Sequence, residues 1–420
     1  MASPKTKRKV LIIVENQSVP ADPRVYKEAM SLHANGHEVT VLCPRRKAEC
    51  RYEMLGGVRV YRHPMAPEGH TPMGYLWEYG WALCWEFVYA WWIFLRHGFH
   101  VVQACNPPDN IFLVALVFKL FGVKYIFDHH DANPELYLSK YNKTGILYPI
   151  LVWLEQMTYR TSDVVMVTNE SYRDLATGRG RVPPEDVFVV RNGPDPATFS
   201  PVPPDPKWKM GRQYLVGYVG YMNIQDGLDI LVDVAQYIND SGREDIAFLC
   251  AGGGPELGKL RELVKQKNLS HMVKFAGRVS DEDLLSILST ADVCVNPDRP
   301  CEMNDISTMI KIMEYMALAK PIVQFDSKEG KFSAREASLY ADKTAADFAE
   351  KIIWLMERPE ERKRMGDFGR LRVEKELAWS HSVPNLLAAY ERAFTKGSPS
   401  RRVATTEYGL GSNISSPPER

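Results

Sequence analysis

Three side chains in the stretch Asn304 to Gly330, NDISTMIKIMEYMALAKPIVQFDSKEG, have types and spacing that suit chemistry on a phosphorylated sugar ligand. Ser307, Lys311 and Glu314 fall at i, i+4 and i+7, so a helix sets them on one face, away from most of the methionines. Ser307 reads as the N-cap, and Met309, Ile312, Met313, Met316 and Ala317 supply the apolar spacing. A helix start offers free N–H groups and a positive dipole end, which suits a diphosphate, with Asp305 and Thr308 beside it. Lys311 adds a point charge for a phosphate oxygen. Glu314 can accept two hydrogen bonds from a vicinal diol such as a ribose. The bland alternative is a Lys–Glu surface pair on an ordinary helix. Lys320-Pro321 ends the helix, and Ile322-Val323 opens a buried strand.

A second cluster is Asp128-His129-His130-Asp131, at the C-terminal end of the expected strand Lys124 to Phe127. Ligands of open α/β sheets gather at such ends. Adjacent His-His-Asp residues cannot all face one ion in a regular geometry, so no metal is expected there. Asp131 is expected to orient the His130 ring. Asp131 and Asn106, the latter just after the strand Val101 to Ala104, are the acceptor-side candidates. Gly220 follows the strand Leu215 to Val219, and Gly252-Gly253-Gly254 follows Ile246 to Cys250. Gly220 and Gly253 are expected where a ligand lies close to the backbone. The second tract fails as a dinucleotide fingerprint, because Leu257 stands where the third glycine belongs. The opening unit (strand Val10 to Val14, helix Arg24 to Ala34, strand His37 to Cys43) lacks the fingerprint altogether, which disfavours a dinucleotide oxidoreductase. Arg24 either approaches an anionic ligand across a cleft or caps its helix locally, the second being favoured.

These residues need a strand–helix alternation to position them, and the alternation runs twice. A chain of 420 residues allows two domains of ordinary size. Pro201 to Pro206 is a proline-rich hinge. The expected division is 1–200 for the first domain, 201–375 for the second, a helix at 376–395 and a disordered Ser-, Gly- and Pro-rich tail at 396–420. Hydrophobic content of 45% and charged content of 25% are those of a globular protein. Formal net charge is zero, so nothing argues for a nucleic-acid partner. Seven cysteines without a C-x-x-C pair read as reduced thiols of a cytoplasmic protein. The start MASPKTKRKV is basic, but the apolar run Leu11 to Val14 is too short for a signal peptide. Tyr75 to His97 is a helix with Trp77, Trp81, Trp85, Val88 and Trp92 at helical spacing, thickened by Tyr75, Phe87, Trp91 and Phe94. Glu78, Glu86 and Arg96 interrupt it as a spanning segment. An interfacial helix at a membrane surface and a helix buried in its own domain both stay open.

The stretch Asn304 to Gly330 resembles the nucleotide-sugar motif of the retaining glycosyltransferases of family 4, and within them a bacterial cell-surface polysaccharide branch with N-D-x-S-T-M-x-K-x-x-E-Y-M-A and a D-x-K-E-G loop. Further similar markers stand in order from Val10 to Phe394: D-P-R-V at Asp22, H-D-x-x-P-E-L-Y at His130, Arg191-Asn192-Gly193-Pro194-Asp195, the glycine tract, Phe275-Ala276-Gly277, and Ala291 to Pro297. The resemblance implies the GT-B fold, two Rossmann-like domains facing a cleft, with the nucleotide held by the second and the acceptor by the first. It implies retaining transfer of a sugar from a nucleoside diphosphate sugar, UDP preferred, to an acceptor hydroxyl, such as that of a lipid-linked sugar at the inner membrane face. It also implies that His130 reaches the donor sugar, that His130, Lys311 and Glu314 serve catalysis, and that no metal or other cofactor is required. Three departures stand out. Ile306 replaces the first acid of Glu-x7-Glu, so that acid is displaced to Asp305 or lost. Met222 and Asp226 occupy the neighbourhood where most members carry an arginine and a lysine for the diphosphate. Ala319 stands where a glycine is usual. A sugar-nucleotide epimerase on the same fold and a non-catalytic subunit of a transferase complex are the alternatives.

Overall fold

Apolar runs such as Val10–Val14 and Val101–Cys105 have no residue to offer a wet face, so their strands must be covered on both sides. The computed structural model, which describes residues 7–65, 72–141, 145 and 147–396, builds two sheets from them. The first contains β1 (Lys9–Val14), β2 (Glu38–Arg45), β3 (Tyr52–Leu55), β4 (Val58–Pro64), β5 (Val101–Cys105), β6 (Lys124–His129), β7 (Val164–Val167) and β8 (Val187–Val189). Their order is β3-β4-β2-β1-β5-β6-β7-β8. The second contains β9 (Tyr214–Val219), β10 (Ile246–Ala251), β11 (Val273–Gly277), β12 (Val293–Asn296), β13 (Ile322–Phe325) and β14 (Ser338–Ala341), in the order β11-β10-β9-β12-β13-β14. Among the described residues every pairing is parallel except β3 with β4. Strand order reverses beside β1 in the first sheet and beside β9 in the second. Each reversal opens a crevice at the carboxyl ends of the strands, where open α/β sheets take ligands. Two Rossmann-like domains therefore form, as expected.

The hairpin β3–β4 was not foreseen from the sequence. Its turn is Gly56-Gly57, with φ of +52° and +90°, angles that favour glycine. The helix Trp379–Thr395 crosses back to the first domain. There Trp379 Nε1 donates to Ser31 Oγ at 2.9 Å, Asn385 Nδ2 donates to the Val189 carbonyl at 2.9 Å, and Leu386, Ala389 and Tyr390 join the core.

The aromatic helix runs from Pro72 to His97 and has two faces. Ala82, Glu86, Ala90 and Ile93 are buried, and Trp91 and Phe94 pack on Phe118 with ring centroids 5.0 and 5.3 Å away. Trp77, Val88 and Trp92 lie on the outer side, with Trp77 62% and Trp92 45% exposed, and Trp81 and Trp85 are half-buried between the two faces. One face is thus core and the other is open. No helix among the described residues is long and apolar enough to cross a membrane. The Tyr75 side chain and residues 397–420, both part of the sequence expectations, lie outside the described residues.

Candidate active site

The Asn304–Gly330 stretch begins with a short helix, Glu302–Ile306, followed by an extended link and the helix Ile310–Ala317. The second helix starts later than predicted. Its N-cap is Met309, and Ser307, with ψ of 134°, is instead the C-cap of the short helix before it. The reason lies across the cleft. The hydroxyls of Ser307 and Tyr172 share a hydrogen bond of 3.2 Å, and Thr308 Oγ1 accepts from Asn169 Nδ2 at 3.0 Å. Asn169 Nδ2 also donates to the Ile306 carbonyl at 2.9 Å. Buried Glu329 accepts from Ser171 Oγ at 2.7 Å and from Thr308 Oγ1 at 3.3 Å, and lies 3.6 Å from Arg191. Ser307 and Thr308, expected on the donor, hydrogen-bond to residues of the first domain and of the segment after β13. Asp305 is exposed, and its Oδ1 accepts from the Lys328 backbone N–H at 2.7 Å. It fixes the loop after β13.

Lys311 and Glu314 do not share a solvated face, which rules out the bland surface pair. Lys311 is buried, with Nζ 2.7 Å from Asp298 Oδ1, 3.5 Å from Asp226 Oδ1 and 3.4 Å from the Tyr218 hydroxyl. Burial opposes its charge, but Asp298 and Asp226 more than restore it, leaving its pKa above the usual lysine value. Its positive charge is therefore already balanced, contrary to the free phosphate ligand expected. Asp226 lies in the neighbourhood where the resemblance led one to expect a lysine, and here it forms an internal ion pair with Lys311.

Glu314 differs. Its carboxylate has no protein hydrogen bond among the described residues and senses Lys27, on the facing helix Pro23–Ala34, and Lys311 only through space. Burial pushes its pKa up to about 7, with the two lysines pulling the other way. Lys27 is in turn lowered to about 8 by burial and by Arg24, while its Nζ donates to the Gly193 carbonyl at 2.8 Å. Tyr315 sets the position of this helix. Its hydroxyl accepts from the Val219 N–H at 2.9 Å and donates to the Val295 carbonyl at 3.3 Å, bridging β9 and β12 where they part. Glu314 is thereby fixed beside the crevice of the second sheet.

Across the cleft, His130 is hung on Asp128 rather than on Asp131. The His130 Nε2 lies 2.6 Å from Asp128 Oδ2. Arg24 donates to both oxygens of Asp128, at 2.6 and 3.3 Å, and Gln103 Nε2 donates to Oδ2 at 3.0 Å. Arg24 is thus neither ligand contact nor helix cap. Asp22 is the cap, accepting from the Arg24 and Val25 N–H groups, and Arg24 is the buried counter-ion of Asp128 and Glu28. Burial alone would raise the Asp128 pKa, but Arg24 and His130 hold it well below the carboxylate range. Burial would likewise lower His130, and Asp128 reverses this to leave the ring above its usual value. His129 points the other way, with Nδ1 2.9 Å from the Tyr159 hydroxyl and its ring stacked on Phe127 and Tyr172. The two imidazoles are thus kept apart, as strand alternation requires. Asn106, predicted to meet the acceptor, is fully committed. Its Oδ1 accepts from the His130 and Asp131 N–H groups at 2.7 and 3.2 Å, and its Nδ2 donates to Asp109 and to the Asp131 carbonyl. It shapes the loop that presents His130.

The glycines are demanded by one loop packing on another. A Cβ on Gly252, where φ is +134°, would sit 1.9 Å from the Gly220 carbonyl oxygen, and one on Gly254 would sit 2.3 Å from that of Met222. Gly253 is the least constrained of the three, its nearest neighbour being the Arg278 side chain at 3.4 Å. Gly220, with φ of +155°, packs on Tyr218. The tract thus seals the loops after β9 and β10 together before any ligand arrives.

The first domain, residues 21–193, matches the family model of the glycosyl transferase 4-like domain, and residues 213–358 match that of glycosyl transferases group 1. The chain belongs to the GT-B glycosyltransferases. It is 24% identical to alpha-D-kanosaminyltransferase of Streptomyces kanamyceticus over 222 residues, 50% of this chain and 55% of that enzyme, so the match spans about half of that relative. It is also 24% identical to alpha-maltose-1-phosphate synthase of Mycolicibacterium smegmatis over 295 residues, 65% of this chain and 74% of that one. Among solved structures, sucrose-phosphate synthase from Thermosynechococcus elongatus superposes with a TM-score of 0.77 at 18% identity, covering 93% of this chain and 100% of that one. Anabaena HepE in complex with UDP and glucose superposes at 0.69 with 13% identity, covering 91% and 99%. Several residues of this glycosyltransferase's cleft had no assigned role in the sequence: Lys27, Asn169, Arg191, Asp298, Tyr315 and Glu329. Arg191 and Asp298 stand just after β8 and β12, which was the available signal. The pairing of Asn169 with Thr308 had none.

Proposed function

We propose that the chain is a retaining glycosyltransferase of the bacterial cell-surface polysaccharide type. It moves a sugar from a nucleoside diphosphate sugar, UDP preferred, to an acceptor hydroxyl. The observation that carries this reading is Glu314, a carboxylate without a hydrogen bond among the described residues, fixed by Tyr315 beside the crevice of the second domain. Ribose hydroxyls donate to it. The donor's anomeric C–O bond to phosphate breaks, a bond from the anomeric carbon to the acceptor oxygen forms on the same face, and the leaving diphosphate takes the acceptor proton. His130, at the edge of the first domain's crevice, faces the donor sugar. No metal or cofactor serves the leaving group. The start of the helix Ile310–Ala317 stabilises the developing charge, while Lys311 stays paired with Asp298 and Asp226. Incubation with a panel of UDP- and GDP-sugars, following free nucleotide with and without acceptor, tests it. Release from no donor, with or without acceptor, overturns transfer.

The balanced charge of Lys311 specifically favours a second reading, a subunit that binds donor without turning it over. Donor binding by calorimetry with no nucleotide release would select it.

For the acceptor we propose a lipid-linked sugar at the cytoplasmic membrane face, met by the open side of the helix Pro72–His97. Tryptophan favours the headgroup region. Replacing Trp77 and Trp92 with serine should weaken binding to anionic lipid vesicles while leaving the melting temperature and donor binding unchanged. Undiminished vesicle binding would remove the membrane from the proposal.

A further inference from the structure

A second group of titratable side chains lies in the first domain, apart from the His130–Asp128 network. Glu15 directly follows β1, His63 is near the end of β4, and Glu86 projects from the buried face of the helix Pro72–His97. Their ligand atoms all lie within 4.8 Å of one another. His63 is 0% exposed and Glu86 1%. Both carboxylate oxygens of Glu86 are buried without a hydrogen-bond partner, and beside them His63 Nε2 and Glu15 Oε2 face only each other. A buried carboxylate is rarely left with both oxygens unpaired, and Glu86 beside the His63–Glu15 pair calls for an occupant they share.

The orientation of the imidazole identifies that occupant. His63 Nδ1 lies 3.1 Å from the Pro64 carbonyl oxygen, which can only accept, so the proton is on Nδ1. That turns Nε2 toward Glu15 Oε2, 3.0 Å away. A proton or a metal ion between these two atoms makes the contact attractive, and only a metal ion also reaches the unpaired oxygens of Glu86. Metal-binding histidines are held in the same manner, the far ring nitrogen donating to a backbone carbonyl. Two carboxylates carry the charge that a dication cancels, and Glu78 adds to the negative field at Glu15. We propose that Glu15, His63 and Glu86 form a binding site for a first-row divalent cation of the Zn²⁺ or Mn²⁺ kind. One imidazole with two carboxylates suits such ions, and ligand bonds of about 2.0–2.2 Å require only a modest contraction of the group. The ion joins β1, β4 and the aromatic helix through one centre. It fixes which face of that helix is core and which is open. It belongs to the first domain and takes no part in neutralising a diphosphate held by the second.

The test uses the full chain, stripped with EDTA, re-equilibrated with ZnCl₂ or MnCl₂ and desalted. Metal content by mass spectrometry and melting temperature are both read. The wild type should retain about one equivalent and melt higher with metal than without, because an ion bound only by the folded state raises the midpoint. Glu86→Gln keeps the shape and should bind at least about 10- to 100-fold more weakly, with a melt that no longer responds to metal. If that variant lacks a cooperative melt, Glu15→Gln is read in its place. Cys84→Ser should keep its metal, which separates the site from an exposed thiol. A wild type that retains no metal, or a Glu86→Gln protein that retains as much as wild type, overturns the site. So does a Glu86→Gln protein more stable than metal-loaded wild type, which would mean that a proton bridges the carboxyl pair.

Discussion

Two carboxylates, one in each domain, stand in opposite states: Asp128 is fully buried and Glu314 half-buried. Asp128, at the end of β6, receives Arg24 on both oxygens and Gln103 and His130 on one. Glu314, on the helix Ile310–Ala317, receives no hydrogen bond among the described residues and feels two lysines at a distance. Both positions looked like ligand contacts or their neighbours in sequence. The difference teaches that saturation separates scaffold from site. A carboxylate whose lone pairs are filled by its own chain stabilises the fold, and one left open awaits a donor from outside.

The sharpest way to break the comparison is to remove the saturated partner. Asp128→Ala leaves Arg24 buried without its main counter-charge, and breaking a buried pair costs about 3–5 kcal/mol. Urea titration should show a lower midpoint with an unchanged slope. The pH dependence follows from the two shifts. Asp128 is depressed below its ordinary 3.8, so its contribution is present above that pH and lost as pH falls through the folded value. His130 is raised above 6.5, so its contribution is present below that pH and lost as pH rises through the folded value. The gap between wild type and Asp128→Ala should therefore be widest between pH 3.8 and 6.5. A gap under ~1 kcal/mol in that window would mean that the network is not scaffold.

Glu314→Ala should do the reverse, weakening donor affinity about 10- to 150-fold, the equivalent of the roughly 1.5–3 kcal/mol of a hydrogen bond to a charged group. Its melting temperature should barely move. Because burial raises the Glu314 pKa to about 7, the ionised acceptor form grows in as pH rises through that value. Wild-type donor affinity should climb across the same range and that of Glu314→Gln should not. Calorimetric titration at pH 6 and pH 8, beside a melt of each sample, reads both. Unchanged affinity in the alanine variant sinks the assignment of the ribose.

His130 stands between the two cases, hung on the scaffold yet at the edge of the crevice. His130→Ala should lower turnover while nucleotide affinity stays within about threefold, a difference under ~1 kcal/mol. Steady-state kinetics with a nucleotide-binding isotherm separates the two quantities. An equal fall in both would move the histidine wholly to the scaffold side.

The doubly wound frame was legible because parallel strands buried on both faces leave continuous apolar runs, as at Val10–Val14 and Ile246–Ala251. Even the overlooked hairpin had its signal in Gly56-Gly57 between Met54-Leu55 and Val58. What remained hidden was partnership across long separations. Helical spacing placed Ser307, Lys311 and Glu314 on one face, and chain positions alone could not tell that Asn169 would draw Thr308 away or that Asp226 and Asp298 would enclose Lys311. Asp226 shows the limit well. A lost lysine in one loop and a retained lysine in another are separate departures in sequence, and they become one ion pair in the fold. Asn106 likewise reads as a polar side chain at a strand end, and only the loop it holds reveals that its amide is used up.

The smallest expected effect concerns the end of the helix that carries Glu314. Ala319 stands where similar sequences have glycine, and its φ is +54°, in the left-handed region. The helix closes there by Lys320 N–H bonding to the Tyr315 carbonyl and Ala319 N–H to that of Met316, each at 2.9 Å, an arrangement that requires a left-handed residue after the cap. Alanine in that conformation costs roughly 1–2 kcal/mol relative to glycine. Replacing it by glycine also frees the unfolded chain, which gives back about 0.4–1 kcal/mol. Ala319→Gly should therefore stabilise by about 0.5–1 kcal/mol on balance, a rise of roughly 1–3 °C in melting temperature for a chain of this size. Donor affinity should stay as it is, because the other end of the turn is fixed independently by Tyr315 on β9 and β12. A drop in melting temperature would show that the Ala319 methyl packs usefully enough to outweigh the strain. A change in donor affinity would show that the open carboxylate is held by its helix end as well as by Tyr315, and the division between scaffold and site would have to be drawn inside this one helix.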